Sequence, residues 1–148
     1  MAPPSSLNYA GDIDAATAWN RLQSDPKAQL IDVRTVAEWN FVGLPDLADL
    51  GRRVHCVEWQ SFPGGGQNPG FTAEAAQALA AAGAGKGDPV LLLCRSGARS
   101  RAAAIALTAA GYEKALNVAG GFEGDVDGEG HRGNLNGWKA AGLPWRQG

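Results

Sequence analysis

The sequence predicts an α/β protein, a single domain built on a parallel sheet with helices on both faces. Short apolar runs alternate with helix-like segments along the 148 residues. The run Val90-Leu91-Leu92-Leu93 shows no polar alternation, which suits a strand buried on both faces rather than one half exposed. A glycine-bearing loop follows it and opens into an alanine-rich helical segment, the βα order of a parallel unit.

The elements are expected in this order. Residues 1–10 are Pro/Ser-rich at their start and read as a flexible N-terminal arm, with the domain running from 11 to 148. Asp12 or Asp14 caps a first helix with Ala15, Ala18, Trp19 and Leu22 on one face. Asp25-Pro26 ends it, because a residue before proline is pushed out of the α region. Leu30 to Val33 forms a strand, Thr35 to Val42 a short helix and Val54 to Trp59 a further strand. Ser61 to Gly70, with two prolines and four glycines, is an irregular loop. Thr72 caps the next helix, with Glu74 in its first turn and Gly83 past its end. After the apolar strand a helix is expected from Ser100 to Ala110, with Ala102, Ile105, Ala106 and Ala109 facing the core and Gly111 closing it. Ala115 to Val118 is a last strand, 125–136 a surface loop, and Asn136 to Ala141 a terminal helix.

Composition narrows the function classes. Hydrophobic content of 45%, charged content of 19% and a net charge of −2 describe an ordinary globular chain without the basic stripe of a nucleic-acid binder. No apolar run approaches the ~20 residues that span a bilayer, and the first residues carry no signal-peptide pattern. No membrane partner and a cytoplasmic location are expected. Two cysteines, Cys56 and Cys94, suit a reducing compartment. With His55 and His131 they show no metal-ligand spacing, so neither metal nor cofactor is expected.

Chemistry concentrates in Cys94-Arg95-Ser96-Gly97-Ala98-Arg99-Ser100. A thiol stands where a buried strand turns into a helix. Backbone N–H groups converge at such a turn, and the helix dipole adds roughly half a positive charge. With Arg95 and Arg99 in the same loop, the surroundings favour thiolate over thiol and bind anions. A buried structural cysteine would need neither two arginines nor a glycine beside it. Ligands of parallel α/β sheets bind beyond the carboxyl ends of the strands, which is where Cys94 falls.

These residues resemble the rhodanese family. The resemblance rests on Leu30-Ile31-Asp32-Val33-Arg34 with Glu38-Trp39 after it, and on the strand leading into the Cys94–Ser100 loop. Asn117-Val118-Ala119-Gly120-Gly121 and the closing Trp138 with Gly142-Leu143-Pro144 complete it, in family order. It implies one domain with a central parallel sheet of about five strands and the cysteine at the bottom of a loop-lined pocket. It implies a thiosulfate sulfurtransferase: Cys94 takes a sulfane sulfur from thiosulfate or a related anion, and the persulfide passes it to cyanide, a dithiol, glutathione or a protein thiol. Cys94 is then the catalytic residue. Arg95, Ser96, Gly97, Ala98, Arg99 and Ser100 form the substrate cradle. The chain departs from the family where a Gly-His-Ile-x-Gly-Ala segment commonly stands, reading Val42-Gly43-Leu44-Pro45-Asp46-Leu47.

Two rivals fit the same residues. A cysteine phosphatase or arsenate reductase uses five residues between cysteine and arginine, and here there are four. A regulatory or docking module of the same fold usually lacks the cysteine. Other groups read as structural. Asp32 is expected to satisfy donors of a neighbouring loop, Arg34 to pair with Glu38 four residues on, and Cys56 to be a buried strand cysteine. Trp19, Trp59, Trp39, Trp138 and Trp145 are read as core, with Trp59 alternatively at the pocket mouth.

Overall fold

Alternation of apolar strands and helices resolves into a five-stranded, all-parallel sheet with helices on both faces, seen in a computed structural model that describes residues 8–60 and 66–147. The sheet strands are β1 (Gly11–Ile13), β2 (Gln29–Asp32), β4 (His55–Cys56), β5 (Val90–Leu93) and β6 (Ala115–Val118). They lie in the order β1-β6-β5-β2-β4, so the most apolar strand, β5, is central. Every residue of β2 and β5 is buried, as strands covered on both faces require.

Side-chain alternation sorts the core into two layers. Ile31, Val33, Leu92 and Cys94 face α3 (Phe71–Ala81) and α4 (Ala98–Ala109), packing on Phe71, Ala75, Leu79, Ala103, Ala104 and Leu107. Leu30, Leu91 and Leu93 face α1 (Ala15–Ser24) and α5 (Gly137–Ala140), against Ala15, Ala18, Leu22, Phe122 and Trp138. Trp19 meets Trp138 edge to face, with ring centroids 5.8 Å apart. Among the described helices, none is long and apolar enough to cross a membrane.

Local chemistry explains the ends. Asp14, not Asp12, caps α1, its carboxylate accepting from the Thr17 N–H at 2.7 Å. Thr35 and Glu38 form a reciprocal capping box on α2 (Val36–Phe41). Gly111 takes a positive φ of 104° just after α4.

Several expectations change. The strand expected over Val54–Trp59 shrinks to His55–Cys56 because β4 is an edge, although the Val57 and Trp59 amides still reach the Asp32 and Val33 carbonyls. Thr72 caps nothing: Gly70 precedes α3 and the helix starts at Phe71. α4 begins at Ala98, two residues early, and buries Ser100, Ala103, Ala104 and Leu107; of the expected face, Ile105 packs half-buried against the core. Alanine on every side of this helix leaves no clear periodicity, so docking of the preceding loop sets its rotation. β1, the fifth strand, lies over Gly11–Ile13, and Tyr9 just before it packs into the core. The unexpected pair is β3 (Leu44–Pro45) with β7 (Trp145–Arg146), an antiparallel ribbon outside the main sheet. It occupies the segment where the chain departs from the family pattern. Residues 1–7 of the expected arm and 61–65 of the expected loop lie outside the described residues.

Candidate active site

Cys94 ends β5 and is 1% exposed. Its carbonyl is pinned by the Phe122 N–H at 2.8 Å, and the Arg95 carbonyl accepts from Glu123 and Gly124 at 3.0 and 3.1 Å. Gly120-Gly121 after β6 makes this buttress possible. Gly121 has φ 62°, and a Cβ there would lie 2.4 Å from the Cys94 oxygen and 2.6 Å from the Arg95 carbonyl carbon. Only glycine fits so close an approach.

The loop then folds back over the sulfur. Gly97, at φ 120°, caps α4 and points its N–H at Cys94 Sγ, 3.1 Å away. Ser100 Oγ stands 3.2 Å from the same sulfur. Arg95 is exposed, Ser96 and Gly97 are half-buried, Ala98 is exposed and Ser100 is buried. Of the residues singled out from the sequence, the loop therefore brings Gly97 and Ser100 to hydrogen-bond distance of the thiol, at the N-terminus of a twelve-residue helix, while Arg95 and Ala98 face outward.

Arg99 has a partner that spacing in the chain did not suggest. Its Nη1 and Nη2 donate to the two oxygens of Glu38 at 2.6 and 2.9 Å, a bidentate pair with each side chain 21% exposed. The hydrogen bond to Glu38 holds the Arg99 guanidinium even more firmly charged than usual. Burial alone would raise Glu38, but the Arg99 bonds and charge, with Thr35, outweigh it and hold the carboxyl below its ordinary range. Arg99 thus ties the active loop to α2.

Arg34 consequently does not pair with Glu38. Side-chain alternation turns it to the α1/α5 face beside Asp32, where both are 0% exposed. Its Nη2 donates to Asp32 Oδ2 at 2.6 Å and to the Gly43 carbonyl at 2.7 Å, and its guanidinium lies 4.3 Å from the Phe122 ring centre. Its Nη1 has no partner among the described residues. Asp32 accepts from the Arg34 backbone N–H at 3.1 Å, so it serves its own turn and an arginine rather than a neighbouring loop.

Cys56 is not buried as expected; it is exposed on edge strand β4. Even so, local desolvation and then the Asp32 charge push its thiol up to about 12. It lines a cavity of about 560 Å³ with Leu44, Arg53, His55 and Arg146, separate from the active loop. Asp32 is in register with both Cys56 and Leu93. Two strand spacings, ~9.6 Å, separate those backbones, beyond the ~7 Å limit for a disulfide. A Cys56–Cys94 bridge would require backbone movement. Trp59 packs edge to face on Phe71, centroids 5.1 Å apart, against the core.

The sequence reading missed Glu38, Asn117 and Asp12 as neighbours of the loop. Asn117 had a visible signal, a polar residue interrupting the apolar strand Ala115-Leu116-Asn117-Val118. Asp12 and Asn117 also line a cleft of about 320 Å³ beside Ser96, Gly97 and Ala98.

The family model for the STR4 middle domain matches residues 10–148. The chain belongs to that family. Among relatives, an uncharacterized protein of Rickettsia conorii is 34% identical over 135 residues, covering 91% of this chain and 96% of that protein. The rice protein THYLAKOID RHODANESE-LIKE, chloroplastic, is 27% identical over 139 residues, which are 91% of this chain and 25% of the rice protein. The crystal structure of Rv0390 from M. tuberculosis superposes with a TM-score of 0.83 at 50% identity, covering 95% of this chain and 99% of that one. The polysulfide-sulfur transferase homodimer of Wolinella succinogenes shares the fold, with a TM-score of 0.58 at 22% identity over 95% and 80% of the chains.

Proposed function

We propose that this STR4 middle-domain protein is a sulfurtransferase that carries sulfur as a persulfide on Cys94. The observation that carries the reading is Cys94 Sγ at the end of the central strand, faced by the Gly97 N–H and Ser100 Oγ at a helix N-terminus. A negative sulfur is the species such a turn accommodates. The rhodanese-like name of the rice relative and the sulfur-transferring name of the Wolinella protein agree with it.

The chemistry balances with thiosulfate as donor. The Cys94 thiolate attacks the outer sulfur of thiosulfate; the S–S bond breaks, and sulfite leaves with its electron pair. The persulfide, Cys94–S–S⁻, keeps one negative charge. Cyanide then attacks the outer sulfur and leaves as thiocyanate, returning the thiolate; glutathione, a dithiol or a protein thiol reacts in the same way. Two displacements through a covalent intermediate give ping-pong kinetics. The Arg95–Ser100 backbone and the exposed Arg95 draw the donor in. Arg99, neutralised by Glu38, chiefly fixes the loop, an arrangement unlike an arginine left free to grip a phosphate ester.

Intact-mass spectrometry after incubation with thiosulfate tests this. One sulfur should add to wild type and to Cys56→Ser, none to Cys94→Ala, and cyanide should remove it. No addition to folded, reduced wild type would overturn thiosulfate as donor and leave either a different sulfur donor or the docking-module reading in its place.

A further inference from the structure

Behind Cys94 runs a chain of polar groups drawn from strands at the far side of the sheet. Tyr9 Oη and Asn117 Nδ2 both donate to Asp12 Oδ1, each at 2.9 Å. Asn117 Oδ1 accepts from the Ser100 hydroxyl at 2.6 Å. Ser100 Oγ also stands 3.2 Å from Cys94 Sγ and 3.2 Å from the Gly97 carbonyl. Asn117 is 5% exposed and Ser100 0%. A buried amide inside an apolar strand is costly unless its partners are specified.

Donor counting fixes the direction of every bond. A carboxylate only accepts, so Asn117 must turn its NH₂ toward Asp12. Its carbonyl then faces Ser100. The hydroxyl has one proton and three neighbours able to take it: Asn117 Oδ1, the Gly97 carbonyl and an anionic sulfur. Asn117 is nearer than the others by 0.6 Å (2.6 against 3.2 Å).

We propose that Asn117, oriented by Asp12, is a positioning residue that holds the Ser100 proton away from Cys94. Ser100 then presents a lone pair to the sulfur and accepts from its S–H whenever the sulfur is protonated. Once the sulfur is anionic, the Gly97 N–H is its established donor, and Ser100 can help only by releasing Asn117. The anion is left less satisfied and more nucleophilic, since nucleophilicity falls as an anion is stabilised. The kinetic consequence rests on the sulfur-transfer reading; the hydrogen-bond order does not.

Other charges around Cys94 are Arg95 from the loop, Arg99 from α4 with Glu38 of α2 on it, Asp32 from β2, Asp12 from β1 behind Asn117, and Arg101 from α4, which lines the cleft with Asp12 and Asn117. Asn117→Leu adds or removes no charge among them and takes one hydrogen bond from Asp12, which keeps that of Tyr9. Titration of the ultraviolet thiolate absorbance, each variant read against the same variant carrying Cys94→Ala, isolates this sulfur from Cys56. Asn117→Leu should move its midpoint down by about half to one pH unit, the effect of one added hydrogen bond to the anion. Turnover of thiosulfate with cyanide should slow several-fold through kcat rather than KM.

In a Ser100→Ala background the same substitution should shift nothing, whereas a merely structural role for Asn117 would be indifferent to Ser100. No shift, or a shift that persists without Ser100, overturns the proposal. Asp12→Ala, at an exposed position, serves if Asn117→Leu does not fold: the amide is freed to turn, and the Ser100-dependent part of the shift should be smaller and in the same direction. The titration needs no sulfur donor, so its outcome is independent of whether wild type loads sulfur, which tests the function itself.

Discussion

Cys94 and Cys56 stand at the carboxyl ends of β5 and β4, with Asp32 of β2 between those strands, in register with Cys56 and with Leu93, the residue before Cys94. Cys94 follows the central strand, and its chain must turn into a covered helix, so the Gly97 N–H and the Ser100 hydroxyl oxygen converge on the sulfur. Cys56 ends an edge strand whose chain runs on beside β2, with no helix beginning at its sulfur. Desolvation and Asp32 push its thiol up to about 12. The same residue type at the same end of one sheet becomes a candidate nucleophile or a thiol whose ionisation is disfavoured, according to what its strand connects to and what surrounds it. The two also face opposite layers, Cys94 toward α3 and α4 and Cys56, in register with Asp32, toward the other side.

The largest disturbance of this arrangement should come from the ion pair between the two sites. Arg34→Leu leaves Asp32 buried and unpaired and frees the Gly43 carbonyl at the ribbon, costing about 3–5 kcal/mol in denaturant unfolding. A loss below 1 kcal/mol would mean that Asp32 is not held as a buried charge. Gly121→Ala should be smaller and confined to the Cys94 side. Its Cβ meets the Cys94 and Arg95 carbonyl groups at a positive φ, for about 2–4 kcal/mol. Sulfur loading in the folded fraction should fall while the β4 edge keeps its structure; loading at the wild-type rate would show that the buttress is dispensable.

Glu38→Gln is the mildest. Glutamine preserves the capping box but removes the carboxylate charge that neutralises Arg99, so KM for thiosulfate should fall. The wild type should be the more stable by on the order of 1 kcal/mol. The folded Glu38 lies below its ordinary value of 4.5. That advantage is therefore complete above this value and lost as pH falls through the depressed one. An advantage that persisted at lower pH would have another source.

The legible parts of the molecule were those encoded contiguously. The Cys94–Ser100 loop, the apolar β5 and a cap for α1 at Asp12 or Asp14 each lie within a few residues, whereas the Thr35–Glu38 box was not read from its spacing. The Arg34–Glu38 pair failed although its spacing was right, because Thr35 caps the helix between them. Arg34 still belongs to the strand alternation and turns inward, while Glu38 belongs to the helix. Glu38 and Arg99 are 61 residues apart, and Asp12 and Asn117 are 105 apart, with no local pattern to join them. The rotation of α4 was equally hidden, since an alanine-rich helix has no preferred face until its loop is docked.

By itself the sequence determined the order of the helices and of β2, β4, β5 and β6, though not β1 or the β3–β7 ribbon, together with the buried central strand and the thiol at its end, because these follow from periodicity, caps and turns within short stretches. Tertiary structure decided which groups surround that thiol: the glycine buttress beneath it, the carboxylate on Arg99 and the amide that claims the Ser100 proton. The physical reason is that hydrogen bonds and ion pairs depend on distance in space, and a parallel sheet brings strand ends together from opposite ends of the chain.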